Sequence, residues 1–226
     1  LFTRTRGKLD AVAKGVRRIK SHFAGKLEFL TEASLTLHAG RSLDVITGAT
    51  ILHSEWERLV DPGRFAAASV VAELLDAFCE PDLDQPEIYE LLQGVVRALA
   101  AAPSPAELLP RFELRLLDLL GVLPPLESCV RCGLCFTGTS EAWLDPPSGG
   151  LLCGVCFRQG GEVGRLTGPE LENIRALAVP RTAKGDVVAT VHALPGVARA
   201  VDTLLTYHLG KRAKASAFLE ELAQAR

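Results

Sequence analysis

The chain has 226 residues, of which 48% are hydrophobic and 23% are charged. This length suffices for one to three domains, and no apolar run is long enough to cross a bilayer as a helix, so we expect no membrane association. The first 26 residues are dotted with charge, unlike a signal peptide, which favours a protein of the reducing cytoplasm. Because the sequence contains no methionine, even at position 1, we also expect its true N-terminus, and with it an opening element, to lie upstream.

Charge is distributed unevenly along the chain. The net charge is only −2, but the first 26 residues hold eight basic side chains against one acid, a net of +7. The other two hundred residues hold seventeen basic and twenty-six acidic side chains, a net of −9. A basic surface built by one part of the chain attracts phosphates, and a solvated charged face is the alternative explanation.

Residues 1–56 are predicted to be rich in β-structure. Gly7 and Lys8 mark a turn, and most of the basic residues fall on a predicted strand-turn-strand stretch at residues 8–26. Apolar and polar residues alternate at residues 27–37 and 45–52, which is the period of a half-buried strand, and Gly48 predicts a bulge or bend. Short bulged strands with a basic face fit a small closed barrel, such as an oligonucleotide-binding (OB) fold. Few aromatic residues accompany the charge, which favours contact with backbone phosphates over reading of bases.

Amphipathic helices are predicted for most of the rest of the chain. Asp61 and Pro62 mark a helix start, and apolar residues then recur every three or four positions as far as Phe78. Similar patterns cover residues 84–101 and 104–120, and Gly121 marks the end of the third helix. Helices are again predicted to start near residues 167 and 195 and near Phe218, with a short apolar stretch at residues 187–192. Such helices would pack as a bundle.

Two Cys-x-x-Cys turns give the strongest chemical signal in the sequence. They read C-V-R-C-G and C-G-V-C-F, and twenty residues lie between Cys132 and Cys153. Each turn directs two thiolates to one point, so the two together predict a tetrahedral four-cysteine zinc site with Zn–S distances of about 2.3 Å. Glycines at 133 and 154 suit turns that need positive φ or close approach to sulfur, and Trp143 and Leu144 are expected to pack in a ribbon between the turns. The predicted ligands are Cys129, Cys132, Cys153 and Cys156.

Other uses of these cysteines have to be weighed. Cys135 forms an overlapping pair with Cys132, and we predict the first pair to be Cys129 and Cys132 because glycine follows their turn, which leaves Cys135 as a spare buried thiol. A redox-active pair or disulfides are the alternatives to a metal. Four thiolates close the coordination sphere and no histidine lies near, so the predicted zinc is structural. The sequence contains no P-loop, dinucleotide-binding glycine motif or serine elbow, and we predict a protein that is not an enzyme.

Three motifs follow one another along the chain. The first is L-F-T-R-T-R-G-K-L-D-A-V-A-K-G-V-R-R-I-K-S at residues 1–21. The second is the pair of Cys-x-x-Cys turns, and the third is Y-H-L-G at residues 207–210 followed by K-A-S-A-F-L at residues 214–219. In this order the motifs resemble the bacterial RecO family of DNA repair proteins, which are recombination mediators. The family usually has one or two strands before L-F-T, so the resemblance implies an incomplete barrel, and Ala217 stands where the family often has arginine.

The resemblance implies an α+β fold with an N-terminal OB-fold barrel at residues 1–60. An α-helical domain at residues 61–226 follows, with a zinc-binding insertion at residues 127–160 that holds one structural Zn²⁺. Basic residues of the barrel would clamp DNA phosphates, and a C-terminal groove would receive the acidic tail of single-strand-binding protein. The implied DNA contacts are Lys8, Lys14, Arg17, Arg18, Lys20 and Lys26. The implied tail contacts are Leu205, Lys211, Arg212, Lys214 and Phe218.

The function that this resemblance implies is non-enzymatic and belongs to the bacterial cytoplasm, at the nucleoid. Such a protein binds single- and double-stranded DNA, anneals complementary strands and, with RecR, helps to load RecA on DNA coated by single-strand-binding protein (the RecFOR pathway). The alternative is a zinc-ribbon adaptor that docks a protein partner without binding DNA directly. A zinc nuclease would need an open metal site or a carboxylate cluster, and the sequence shows neither.

Overall fold

The computed structural model of the chain describes residues 1–16, 18, 21–137, 140–157, 164–179 and 192–224. The N-terminal strands are β1 (Phe2–Thr3), β2 (Gly7–Lys8), β3 (Ala11–Val12), β4 (Glu32–His38) and β5 (Asp44–His53). The helices that follow are α1 (Trp56–Leu59), α2 (Pro62–Phe78), α3 (Pro86–Ala101) and α4 (Leu109–Leu119). A second set of strands is β6 (Ala142–Asp145), β7 (Gly150–Leu152) and β8 (Arg165–Leu166). The chain continues through α5 (Gly168–Ala178), α6 (Pro195–Leu209) and α7 (Lys214–Gln224).

The N-terminal strands form two small sheets. Strands β1 and β2 pair antiparallel, while β5 lies between β4, which is antiparallel to it, and β3, which is parallel. Thr36 faces Gly48 and Leu37 faces Ile46, so Thr47 is an extra residue and the predicted bulge is confirmed. Within the described residues these sheets do not join into a closed barrel. The structure therefore shows a mixed α+β protein, and the OB-fold barrel stays a prediction.

A series of turns replaces the strands predicted between residues 13 and 26. The backbone N–H groups of Val16, Ser21 and Lys26 donate to carbonyls three residues earlier, at 3.4, 2.9 and 2.9 Å. Gly15 and Gly25 have φ values of +77° and +70°, which suits tight turns. Apolar side chains here do not alternate with polar ones as they do in a half-buried strand, although Phe23 itself is buried. Arg17, Ile19 and Lys20 lie outside the described residues.

The helix starts predicted at Asp61 and Thr167 are confirmed, whereas α3 and α4 begin two and five residues after the predicted positions 84 and 104. The Asp61 carboxylate accepts a hydrogen bond from the Arg64 N–H at 3.1 Å, and Pro62 occupies the first turn of α2. A 3₁₀ turn (Pro105–Leu108) leads into α4, and Gly121 follows its end with φ +71°. A capping box begins α5, where Glu170 accepts from the backbone N–H of Thr167 at 2.9 Å. The apolar stretch predicted at residues 187–192 lies outside the described residues, apart from His192.

Helices α2 to α6 and strands β6 and β7 share one hydrophobic core. Leu74, Leu114 and Leu151 have no exposed side-chain surface within it. Glu113 of α4 is buried in the same region, where burial and, second, the charge of Asp202 raise its pKa to about 8. Burial thus favours the protonated form of this carboxyl. No helix of the described chain is long and apolar enough to cross a membrane.

The loop between α2 and α3 is one of the places where the N-terminal sheets contact the helical region. Gly7 has φ +56°, and a Cβ there would lie 1.8 Å from the carbonyl oxygen of Leu83. The backbone N–H of Asp82 donates to the carbonyl of Lys8 at 2.8 Å. The Arg6 guanidinium contacts Asp82 at 2.7 Å and Asp44 at 3.0 Å. These contacts fix the hairpin of β1 and β2 against the turn between α2 and α3.

Candidate metal centre and basic surface

The four predicted ligands, Cys129, Cys132, Cys153 and Cys156, come together in space. Their sulfur atoms all lie within 4.8 Å of one another, and the Sγ atoms of Cys132 and Cys153 are 3.7 Å apart. A tetrahedron with Zn–S bonds of about 2.3 Å has S–S edges of about 3.8 Å, so the cluster has the size of a four-cysteine zinc site. The donor set is soft and closed, which fits a structural zinc ion.

Hydrogen-bonded turns hold each pair of thiols. The Gly133 N–H donates to the carbonyl of Cys129 at 2.9 Å, and Gly133 has φ +76°, as its position after the turn predicted. In the second turn the N–H groups of Cys156 and Phe157 donate to the carbonyl of Cys153 at 3.0 and 2.9 Å. The other glycine has a different role: a Cβ at Gly154 would lie 3.2 Å from the Trp143 ring, and its φ is not positive. Close packing, not backbone conformation, therefore favours glycine at 154.

Strands β6, β7 and β8 form the ribbon that carries the second turn. Strand β6 pairs antiparallel with both β7 and β8. Trp143 stacks on Phe157 with ring centroids 5.6 Å apart, while Leu144 is buried, so both residues pack as predicted. Gly150 begins β7, and a Cβ there would lie 2.7 Å from the side chain of Val130 on the first turn. The ribbon and the first Cys-x-x-Cys turn are thus in close contact.

Two arginines that the sequence analysis did not identify hold this region in place. Arg131 joins the two turns, because its Nη1 donates to the carbonyl of Cys156 at 2.9 Å. Arg175 of α5 donates to the carbonyl of Leu126 from Nε at 3.1 Å and from Nη2 at 2.7 Å, and its Nε lies 3.3 Å from the Glu127 carboxylate. Arg131 lies inside the first Cys-x-x-Cys turn, and this position could have been used to predict a contact with the second turn. Arg175 is 49 residues from Leu126 in sequence, and no local pattern reveals it.

The four thiols do not ionise independently. Burial acts to raise the pKa of Cys129, but backbone N–H groups on both turns outweigh it, and the pKa falls to about 6. Burial and hydrogen bonds with the other three thiols raise the pKa of Cys156 to about 12. A divalent cation is what would keep all four ionised, which is consistent with a metal-binding role.

The remaining two cysteines lie outside the cluster. Cys135 is exposed, so the prediction of a buried spare thiol is wrong. It pairs with Ser128 across an antiparallel bridge, on the chain segment that leaves the first turn at the surface. Cys79, after α2, is buried, and burial raises its pKa to about 11.

The predicted DNA contacts have different environments. Lys14 and Arg18 are exposed in the series of turns after β3. Lys26 is partly exposed and lines a cavity of about 660 Å³ between β4 and helices α2 and α3. Lys8 is mostly covered, and its Nζ donates to the backbone carbonyl of Asp76 at 2.5 Å and to its carboxylate at 3.2 Å. The charge of Lys8 is therefore already paired, and Arg17 and Lys20 are outside the described residues.

The predicted tail contacts cluster around the start of α7. Lys211 and Lys214 are exposed, while Arg212 contacts the carboxylate of Asp202 at 3.3 Å. Phe218, one turn into α7, is 47% exposed. Leu205, by contrast, is 5% exposed and belongs to the core. Basic and apolar groups are thus available at the surface around α7, whereas Leu205 is buried in the core.

The Glu73 carboxylate of α2 accepts hydrogen bonds from the N–H groups of Lys214 and Ala215, at 2.9 and 2.8 Å. It thereby caps α7 from another helix and fixes the position of the surface around Phe218.

Fold and site together define a mixed α+β protein with a basic N-terminal segment and a candidate four-cysteine metal centre. The family model described as Recombination protein O N terminal matches residues 1–55, and the one described as Recombination protein O C terminal matches residues 59–217. A DNA repair protein RecO from a Nocardioides strain is 34% identical over 97% of this chain and 90% of its own length. The DNA repair protein RecO of Symbiobacterium thermophilum is 32% identical over 100% of this chain and 90% of its own length. The chain belongs to the RecO family of DNA repair proteins.

Proposed function

We propose that this chain is a recombination mediator. It binds single- and double-stranded DNA through backbone phosphates, anneals complementary strands and, with RecR, helps RecA to load on DNA coated by single-strand-binding protein. The observation that carries this proposal is the match of both family models, over residues 1–55 and 59–217. In this proposal residues 1–60 are an OB-fold barrel, residues 61–226 a helical domain and residues 127–160 its zinc-binding insertion. The chain would act in the bacterial cytoplasm, at the nucleoid.

Exposed cations of the N-terminal segment are the proposed DNA contacts. Lys14 and Arg18 stand free of the ion pairs described above, and Lys26 borders the cavity between the sheets and helices. Lys8 contributes less, because DNA would have to compete with the Asp76 carboxylate for its charge. Arg17 and Lys20 are added from sequence alone. Such cations bind backbone phosphates whatever the base sequence of the DNA. A protein that acts throughout a genome requires this kind of binding.

Annealing needs no catalytic side chain under this proposal. Two DNA strands repel each other through their phosphates, and a basic surface that holds both strands lowers that repulsion. Base pairing then supplies the free energy of the reaction. The rate of annealing should therefore fall as salt rises, because counterions compete with the protein for phosphate.

Reversing the charge of Lys14 and Arg18 together (K14E/R18E) is expected to weaken DNA binding about 10- to 100-fold at low salt. The affinities of the variant and the wild type are measured by fluorescence anisotropy with labelled single- and double-stranded oligonucleotides over a salt series. The slope of log affinity against log salt is negative, and each lost phosphate contact should make it shallower by about 0.7 for single strands and about 0.9 for duplex DNA. The matched control is R58E/R199E, which makes the same change of charge at exposed residues of the helical region.

The same titration separates the mediator from the alternative, a zinc-ribbon adaptor. If the wild-type chain binds no DNA at any salt concentration, the adaptor is favoured and the mediator is rejected. If K14E/R18E and R58E/R199E lose affinity equally, the chain binds DNA but the N-terminal segment is not its contact surface.

For the acidic tail of single-strand-binding protein, we propose the surface around the start of α7. Lys211, Arg212 and Lys214 supply positive charge, and Phe218 supplies apolar surface, while Leu205, which is buried, is added from sequence alone. The first N–H groups of α7 are already taken by Glu73, so the side chains must supply the attraction.

The double variant K211E/K214E is expected to weaken binding of a peptide with that tail sequence about tenfold or more. Acids are tolerated at the start of a helix, so the fold should be retained and is checked by circular dichroism. Unchanged peptide affinity would reject the surface, whereas DNA binding is expected to remain close to that of the wild type.

The proposed cofactor is one structural Zn²⁺ held by Cys129, Cys132, Cys153 and Cys156. Its contribution when bound would be folding free energy for the turns and the ribbon of β6, β7 and β8. Four thiolates leave no open position for a substrate or water, so we assign the site no chemical step.

A further inference from the structure

Cys132 and Cys135 are two exposed thiols on the same turn. Of the four clustered cysteines, Cys129 and Cys153 are buried, Cys156 is partly exposed and Cys132 is the exposed one. A small solute therefore reaches the cluster most readily at Cys132. The thiol of Cys135, three residues further along the chain, is exposed and lies outside the ligand set.

The backbone brings these two cysteines onto one tight reversal of the chain. The Cys129 N–H donates to the carbonyl of Leu134 at 2.9 Å, and Cys135 faces Ser128 across an antiparallel bridge. The Sγ of Cys135 lies 4.0 Å from the carbonyl oxygen of Gly133, within the same turn. Oxidation sites combine an accessible cysteine in the thiolate form with a second thiol nearby. Cys132, as a metal ligand, and Cys135 have this arrangement.

We propose that Cys132 and Cys135 form an oxidation site for hydroperoxides, and that their oxidation releases the metal from the cluster. The Cys132 thiolate takes the terminal oxygen of the peroxide, the O–O bond breaks, and the leaving oxygen takes up a proton as alcohol or water. The resulting sulfenic acid of Cys132 condenses with the Cys135 thiol, giving a disulfide and water. Two electrons pass from the two sulfur atoms to the peroxide. The inference rests on the metal occupancy proposed above and is independent of DNA binding.

Loss of metal follows from the ligand count. A disulfide sulfur is no longer a thiolate ligand, so the cluster keeps three thiolates in place of four. Cys153 is the rival partner for the sulfenic acid, because its Sγ is 3.7 Å from that of Cys132. While the metal is bound, however, the Cys153 sulfur is engaged as a ligand, whereas the Cys135 thiol is free to react. Cys135 is therefore the expected resolving cysteine.

The test uses the full chain loaded with zinc to one equivalent and treated with hydrogen peroxide in the presence of a chromogenic chelator. Cys135→Ser is expected to slow zinc release about tenfold relative to wild type. Cys79→Ser, which removes a buried thiol outside the cluster, is the matched control and should release zinc at the wild-type rate. Peptide mapping of the oxidised wild type by mass spectrometry should find a Cys132–Cys135 disulfide, and a reductant should restore zinc binding.

Equal release rates for wild type and Cys135→Ser would overturn the proposal, as would a Cys132–Cys153 disulfide in the oxidised wild type. If a chain that already carries the Cys132–Cys135 disulfide retains zinc, oxidation does not release the metal, and that part of the proposal is overturned. A chain that cannot be loaded with zinc under reducing conditions refutes the metal centre itself, and this proposal with it. The zinc content measured before oxidation thus separates the two failures.

Discussion

Replacing Cys129 with serine is expected to abolish metal binding and to unfold the region around the two Cys-x-x-Cys turns. Cys129 is 1% exposed, and its thiol lies in the four-sulfur cluster. A structural zinc contributes apparent binding free energies of about 10–16 kcal/mol in small zinc domains, and whole domains are stable by only about 5–15 kcal/mol. The loss of this term removes the link that joins the two turns through their thiolates. Metal analysis of the purified protein and its thermal unfolding curve measure the two effects.

Two controls make the result specific to the cluster. Cys79→Ser and Cys135→Ser alter thiols outside it and should retain about one metal ion per chain. A chelator added to the wild type should reproduce the unfolding behaviour of Cys129→Ser. Retention of a full equivalent of metal by Cys129→Ser would show that the cluster is not the metal site.

Replacing Arg175 with methionine is expected to destabilise the chain by about 2–4 kcal/mol while the metal stays bound. The guanidinium gives two hydrogen bonds to the carbonyl of Leu126 and a third contact, at 3.5 Å, to that of Phe136. The Arg175 side chain is 19% exposed, so water replaces these bonds poorly. Methionine keeps the apolar stem but leaves the carbonyls without their donor. Urea unfolding at saturating zinc measures the change in the free energy of unfolding.

Arg58→Met is the matched control for this variant. Arg58 makes an ion pair with Glu55 and its side chain is 65% exposed, so its loss should cost less than about 1 kcal/mol. If Arg175→Met and Arg58→Met prove equally mild, Arg175 does not hold the metal-binding region against α5. The contacts of Arg175 do not involve the cysteine sulfurs, so metal binding should not depend on them. If Arg175→Met loses its metal under native conditions, metal binding does depend on the packing of this region against α5.

Local sequence signals were sufficient for the helices and for the cluster. The start of α2 depends on Asp61 and Pro62, and that of α5 on Thr167 and Glu170, all of them neighbours in sequence. The cysteine ligands are fixed by two short turns, each of which positions its own pair. In both cases the interacting groups lie within a few residues, so a short stretch of sequence contains the whole interaction.

The stretch at residues 13–26 and the contacts of individual cations could not be predicted in this way. Charged residues and glycines are frequent in residues 13–26, and the described part of this stretch has turns because its apolar residues do not alternate as in a strand. Lys8 reads as a free cation in the sequence, yet Asp76, 68 residues away, pairs with it. Arg175 reads as a solvated helix residue, yet it bonds a carbonyl 49 residues away. Charge can be counted from sequence, but which charges remain free depends on tertiary contacts.

The measurement that tests the mediator proposal most directly is the annealing rate of two complementary oligonucleotides, followed by fluorescence quenching over a series of salt concentrations. We predict that the wild-type chain accelerates annealing at low salt, that the acceleration falls steeply as salt rises, and that K14E/R18E removes most of it while R58E/R199E does not. No acceleration at any salt concentration, or a rate that does not depend on salt, would contradict annealing on a basic, phosphate-binding surface.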